Sequence, residues 1–194
     1  LAFHIPSLKD PDVYALDVAE VILGGGETSR LYKKLKLEKS LVHGVSSYGM
    51  SLKDPGLFFI TAVLEPGNIA PVISEAVSEL ERLKHDGPDR EEIERAKFNI
   101  ESDFVYSRET VDGIAGKLGY FETNLGDVNY EKKYIEGIRR VGPDDIRRVL
   151  AKYLNPEAMT VSTLLPKDAP PITKDAIAGT IAASVSAASS RPAK

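Results

Sequence analysis

Apolar positions recur along this chain with two periods, two residues and about 3.6, and the switches between them divide it into short strands and longer helices. Leu1 to Leu8 (LAFHIPSL) reads as a first strand, with Pro6 near its end restricting it to an edge or a terminus. Asp10-Pro11 has the form of an N-cap followed by the first helical position. Val13, Leu16, Ala19, Ile22 and Leu23 then make one helical face, with Asp12, Asp17 and Glu20 opposite, and Gly24 stops the helix. A shorter helix is predicted to begin near Thr28 or Ser29. It sets Leu31 and Leu35 one turn apart and Arg30, Lys33, Lys34, Lys36 and Lys39 on its other sides.

Two strands follow, Val42 to Leu52 and Gly56 to Glu65, joined by the turn signal Lys53-Asp54-Pro55-Gly56. The second is rich in Phe, Ile and Val and is predicted to be central. Asn68 is expected to cap the next helix, whose Ile73, Ala76, Val77, Leu80 and Leu83 share a side. Asp86-Gly87-Pro88 ends it, and Asp89 with Glu92 forms a capping-box start for another. From Ile93 to Leu125 the helical spacing would span roughly 50 Å at about 1.5 Å per residue, too long for a small domain, so a break is predicted near Ser107 to Thr110. Helices near 129–140 and 143–154 and a last strand from Met159 to Leu165 complete the reading.

Counting paired helices as single layers gives β-α-β-β-α-β, the split ferredoxin-like order, with helices on one face of a mainly antiparallel sheet: an α+β fold. Residues 1–166 are expected to form this domain. Past Pro166 the composition turns to Pro, Ala and Ser, and residues 167–194 read as a tail with a weak alanine-rich helix near Ile172 to Ala188.

Composition narrows the function. Over 194 residues, a net charge of −4 argues against nucleic acid as the main partner, and no run approaches the length of a membrane span. The first residue is Leu and no signal peptide is visible, so the chain reads as a fragment or a processed product. Without cysteine there are no disulfides, thiolate metal sites or cysteine nucleophiles.

Candidate chemistry is sparse. Gly24-Gly25-Gly26 follows a helix, whereas a phosphate-binding loop follows a strand and carries further Gly or Gly-Lys at fixed spacing; a flexible backbone corner is the expectation. His4, His43 and His85 stand far apart, and neither H-x-x-E-H nor H-E-x-x-H occurs, so no metal site is expected in this chain. Glu91, Glu92, Glu94, Glu101 and Asp103 alternate with Arg90, Arg95 and Lys97 as a solvated helix face. The basic run Arg30 to Lys39 reads as another solvated face, with an anion or substrate contact as the alternative.

Several ordered segments carry a family resemblance: Phe3-His4-Ile5-Pro6, Leu23 to Leu35 with its three glycines and Ser29-Arg30-Leu31, Glu92-Ile93-Glu94-Arg95-Ala96-Lys97, and Ile138 to Leu154, ending at Pro166. Together they resemble the second, zinc-free domain of a pitrilysin/insulinase-type (processing-peptidase-like) zinc metallopeptidase subunit. The resemblance implies a parent zinc metalloendopeptidase in which four related domains, in one chain or two paired subunits, enclose a peptide chamber. Zinc is then expected in an N-terminal domain outside these residues or in a partner subunit, where a glutamate activates the metal-bound water. This chain alone is expected to be inactive. Its implied partners are that zinc-binding domain and a polypeptide substrate, within a homo- or heterodimer. The bacterial periplasm is the implied location, with mitochondria or cytoplasm as alternatives.

In active relatives one copy of this domain contributes an Arg and, seven residues later, a Tyr to the substrate. Those positions fall on Lys36 and His43, which depart from the pattern: lysine lacks the planar fork, and imidazole is a different, titratable donor. Ordinary helix-end and strand-start roles remain open for both. Two other readings stand beside the favoured one: a non-catalytic partner or scaffold subunit, and an unrelated protein-interaction domain.

Overall fold

A computed structural model describes residues 1–189. Its sheet contains strands β1 (Ala2–Ile5), β2 (Gly44–Met50) and β3 (Gly56–Val63), in the antiparallel order β1-β3-β2. Residues Phe58 and Ile60 of β3 point inward, while Thr61 and Val63 are exposed, the period-two pattern of a strand buried on one face. Strand β3 is central, as its aromatic and β-branched content predicts.

The helices are α1 (Asp12–Gly24), α2 (Ile69–Asp86), α3 (Arg90–Tyr106), α4 (Val111–Leu125), α5 (Tyr130–Arg140), α6 (Pro143–Tyr153) and α7 (Lys174–Ser189). Phe3, Ile5, Phe58 and Ile60 of the sheet share one core with Leu16 and Leu23 of α1, Leu80 of α2 and Ile146 and Leu150 of α6. The architecture is α+β, rich in helix and with a small sheet. No helix is long and apolar enough to cross a membrane among the described residues.

Local signals hold where local chemistry decides. The Asp89 carboxylate accepts the Glu92 N–H at 2.7 Å and Glu92 accepts the Asp89 N–H at 3.0 Å, the reciprocal cap expected for α3. The long helical pattern breaks after Tyr106, and Thr110 caps α4 by accepting the Gly113 N–H at 3.0 Å. Other signals shift. Asn68 stands at the N-cap of α2 as expected, but its side chain makes no capping bond; it closes a 3-10 turn (Pro66–Asn68), and its amide donates to the Leu41 carbonyl at 3.0 Å. The short basic helix becomes a wide π turn (Tyr32–Glu38) in which the Lys39 N–H reaches the Lys34 carbonyl.

The last strand is the main correction. Met159 to Leu165 makes a single antiparallel bridge, Ala2 with Thr160, on the outer edge of β1. Strand β1 is four residues long and stops before Pro6, so little ladder is offered to a neighbour. Met159, Val161 and Leu165 instead pack beside Ile69, Ile73 and Val77 of α2, where Ile177, Ile181 and Val185 of α7 also dock. The ferredoxin-like order therefore ends in a bridge where its final strand would lie.

Candidate functional site

Helix α1 runs into the glycine corner. A methyl group on Gly24 would lie 2.3 Å from the Ser47 backbone nitrogen, so the absence of a side chain lets α1 press against β2. Gly26 holds φ +89°, a left-handed conformation that favours glycine. Its carbonyl accepts the Ser29 hydroxyl at 2.6 Å, while Leu31 is fully buried. Arg30 turns the other way and forks onto Glu92, with Nε and Nη2 each donating at 2.7 Å. Arg30 is thus no part of a solvated basic face.

Lys36 lies on the π turn with its ammonium 4.9 Å from the Tyr32 ring centroid. Lys34 pairs with Glu38 and Lys39 with Glu75, while Lys33 and Lys36 have no ion pair among the described residues. His43 precedes β2, and its Nε2 meets Glu65 Oε1 at 3.1 Å with both side chains well exposed. The segment between them is fastened by the Leu41 N–H on the Leu35 carbonyl at 2.8 Å. Lys36 and His43 thus make separate contacts, and none joins them.

The face of the hairpin β2–β3 turned away from the core carries an apolar and aromatic surface. Tyr48 stacks on Phe59 with centroids 4.9 Å apart, Ser46 and Thr61 share a hydrogen bond at 3.0 Å, and Val63 is 67% exposed. His43 and Glu65 lie near the open end of the hairpin. The histidines do not converge: His43 pairs with Glu65 and His85 with Asp86. Among the described residues no group of three or more His, Cys, Asp or Glu could hold a metal ion, so this donor set does not fit zinc.

Two polar clusters escape a reading of the sequence. Buried Asp12 accepts Arg148 at 2.6 Å, and Lys152 and Tyr153 each at 2.9 Å, tying α1 to α6. Burial alone would raise its pKa, but hydrogen bonds from Lys152, Arg148 and Tyr153 outweigh it and hold the group down at about 2. One and two turns further along α1, Asp17 lines a cavity of about 340 Å³, and Asp17 and Glu20 together line an adjoining one of about 380 Å³. The Tyr134 hydroxyl donates to Asp17 Oδ2 and the Gly49 N–H to Glu20 Oε2, each at 2.6 Å. Burial pushes Asp17 up to about 6 against the Tyr134 hydrogen bond. Burial and the neighbouring Asp17 charge push Glu20 up to about 8 against the Gly49 donor. The three-residue spacing of the carboxyls was visible in the sequence; their tyrosine partner, 117 residues away, was not.

The chain matches the family described as peptidase M16 inactive domain over residues 1–100. It is 28% identical over 158 residues to an uncharacterized zinc protease of Streptomyces coelicolor, covering 80% of this chain and 34% of that protein. It is 28% identical over 170 residues to the zinc protease PqqE of Helicobacter pylori, covering 86% of this chain and 37% of that one. Among solved structures, an inactive peptidase domain from Bordetella parapertussis superposes with a TM-score of 0.76 at 25% identity, covering 88% of this chain and 92% of that chain. The chain spans about a third of the length of the two zinc proteases.

Proposed function

The chain belongs to the peptidase M16 inactive-domain family, and from that membership we propose that it forms one wall of a peptide-enclosing chamber and the contact with a zinc-bearing catalytic domain. That domain would belong to the same protein or to a partner subunit. The observation that carries the reading is the uncovered face of the β2–β3 hairpin. Its stacked Tyr48 and Phe59 and exposed Met50 and Val63 offer apolar surface that the chain's own helices, packed on the other face, leave open. Such a surface suits an extended polypeptide, since ring faces and backbone-spaced pockets select shape rather than one side chain. Lys36, with no carboxylate partner among the described residues, would meet carbonyl or carboxylate oxygens of that polypeptide at the rim, and His43 would stand beside it. Bond cleavage would fall to the zinc domain.

Photo-crosslinking in the whole protein tests this. With p-benzoylphenylalanine at Tyr48 or Val63, irradiation in the presence of an unfolded polypeptide should join that polypeptide to this face. The same group at Phe98, exposed on α3, is the control. Cross-links at Phe98 with none at Tyr48 or Val63 would refute the reading.

A second reading, a non-catalytic partner subunit, is favoured by Lys36 and His43 standing where active relatives are expected to carry Arg and Tyr. An intact H-x-x-E-H helix elsewhere in the parent protein, with zinc-dependent peptide cleavage, decides against it.

A further inference from the structure

Asp17 and Glu20 stand one helical turn apart on α1, and their oxygens converge on one point of β2. A methyl group placed on Gly49 would lie 3.2 Å from Glu20 Oε2 and 4.0 Å from Asp17 Oδ1. Each carboxyl receives one hydrogen bond, from Tyr134 or from Gly49, and no lysine, arginine or histidine bonds to either among the described residues. Asp103 of α3 adds a third acid at the exposed mouth. Among the described residues the sole lysine or arginine lining either cavity is Lys117 of α4, and it bonds to neither Asp17 nor Glu20. Its ammonium rests 3.1 Å from the Phe104 ring centroid and donates to the Phe104 carbonyl at 2.9 Å.

The remaining walls are largely aromatic. Phe104 and Tyr134 stack at 6.1 Å, and Tyr120 and Phe121 line the inner cavity. Burying carboxylate charge without a cation is costly, so a proton takes that place until something better enters. Ring faces and paired acids together select a diffuse organic cation. A metal ion would require three or more converging protein donors, and no such group forms among the described residues. The space of about 380 Å³ that both carboxyls line admits a long basic side chain and excludes a folded partner.

We propose that this cavity binds the basic side chain of an arginine or lysine presented by a polypeptide, its charged head between Asp17 and Glu20 and its stem along Phe104 and Tyr134. The assignment rests on the cavity alone and does not depend on the chamber reading. Entry of the cation displaces the protons that burial holds on both acids. The titratable groups facing the site are Asp17 and Glu20 from α1, Asp103 from α3, Lys117 and Tyr120 from α4, and Tyr134 from α5, with the Tyr14–Tyr130 hydroxyl pair behind them; β2 presents Gly49, and Ser51 follows it. Of these, Asp17 and Glu20 lose their protons as pH rises from acidic to mildly alkaline, so affinity should rise with pH.

The test is titration of the chain with Nα-acetyl-arginine methylamide, followed by amide NMR, with the norleucine analogue as an uncharged control. A saturable shift at Gly49 and Gly116 is expected, about ten-fold or more tighter at mildly alkaline than at mildly acidic pH. Asp17→Asn and Glu20→Gln should each weaken it about ten-fold or more while leaving the rest of the spectrum unchanged. No saturable shift, equal shifts from norleucine, or undiminished binding by both folded variants overturns the proposal. Should neither variant fold, the pH series and the norleucine control on the unaltered chain decide it.

Discussion

Arg30 and Glu92 lie 62 residues apart in sequence and meet as a two-pronged pair, Nε on Oε1 and Nη2 on Oε2, both at 2.7 Å. Glu92 also accepts the Asp89 N–H, so one carboxylate serves both the cap of α3 and the clamp on the glycine corner. The pair is mostly shielded, at 21% and 15% side-chain exposure. Hydrogen bonding and the opposite charge favour the ionised form of both groups against the cost of burial.

Replacing Arg30 should therefore cost more than removing a surface charge. Arg30→Ala is expected to lower unfolding stability by about 1–3 kcal/mol, since Glu92 keeps its charge and loses two charge-assisted donors. Arg30→Lys keeps the charge but not the fork, and should recover less than half of that loss. Urea midpoints for the three proteins, compared at constant slope, measure both effects. A lysine variant as stable as the parent would show that charge alone matters.

Asp12 makes a prediction about acid. Its folded pKa lies near 2, below the ordinary 3.8, so its stabilisation is fully present above about pH 4 and is lost as pH falls through 2. The amount is about 2 kcal/mol at most, because Arg148 and Lys152 are themselves half exposed and screened. Asp12→Asn should remove that part of the acid dependence. The stability-against-pH curves of variant and parent should converge below about pH 2. A constant gap from neutral to acid pH would place the effect in packing instead.

Glu20 makes the opposite one. Its folded pKa of about 8 lies above the ordinary 4.5, so in the unfolded chain it ionises first. The contribution is therefore greatest below about pH 4.5 and is lost as pH rises toward 8. An amide removes this penalty and can still accept the Gly49 N–H. Glu20→Gln should match the parent at acidic pH and exceed it by about 1 kcal/mol or more in mild alkali. Thermal melts across that range check it, and a variant less stable than the parent in alkali contradicts the buried carboxyl.

Much of this architecture was legible because its causes are local. The Asp89–Glu92 cap, the Thr110 restart and the central β3 depend on residues within a few positions of one another. The last strand misled because Met159 to Leu165 has the right side chains, yet β1 is too short to receive them and α2 with α7 offers a better apolar partner. The acidic stripe of α1 looked like the polar side of a helix. Its three carboxyls are spoken for by α5, α6 and β2, and no pattern within α1 could reveal partners 29, 117 and 136 residues away. The glycine corner was legible as a turn, whereas the reason for Gly24, contact with Ser47, needed the strand in place.

Lys36 and His43 are separated by what each already touches. Lys36 leans on the Tyr32 ring and pairs with no carboxylate among the described residues; His43 is engaged with Glu65. In the whole protein acting on a polypeptide, a partly exposed ammonium should contribute alike to bound substrate and transition state. Uniform binding of that kind lowers KM and leaves kcat alone. Lys36→Ala is expected to raise KM about three- to ten-fold with kcat nearly unchanged, and His43→Phe to leave kcat/KM within about two-fold. Steady-state kinetics on one peptide substrate measures both. A ten-fold fall in kcat for either variant would mean that its side chain meets charge developing in the transition state, a part that the separate contacts of Lys36 and His43 do not support.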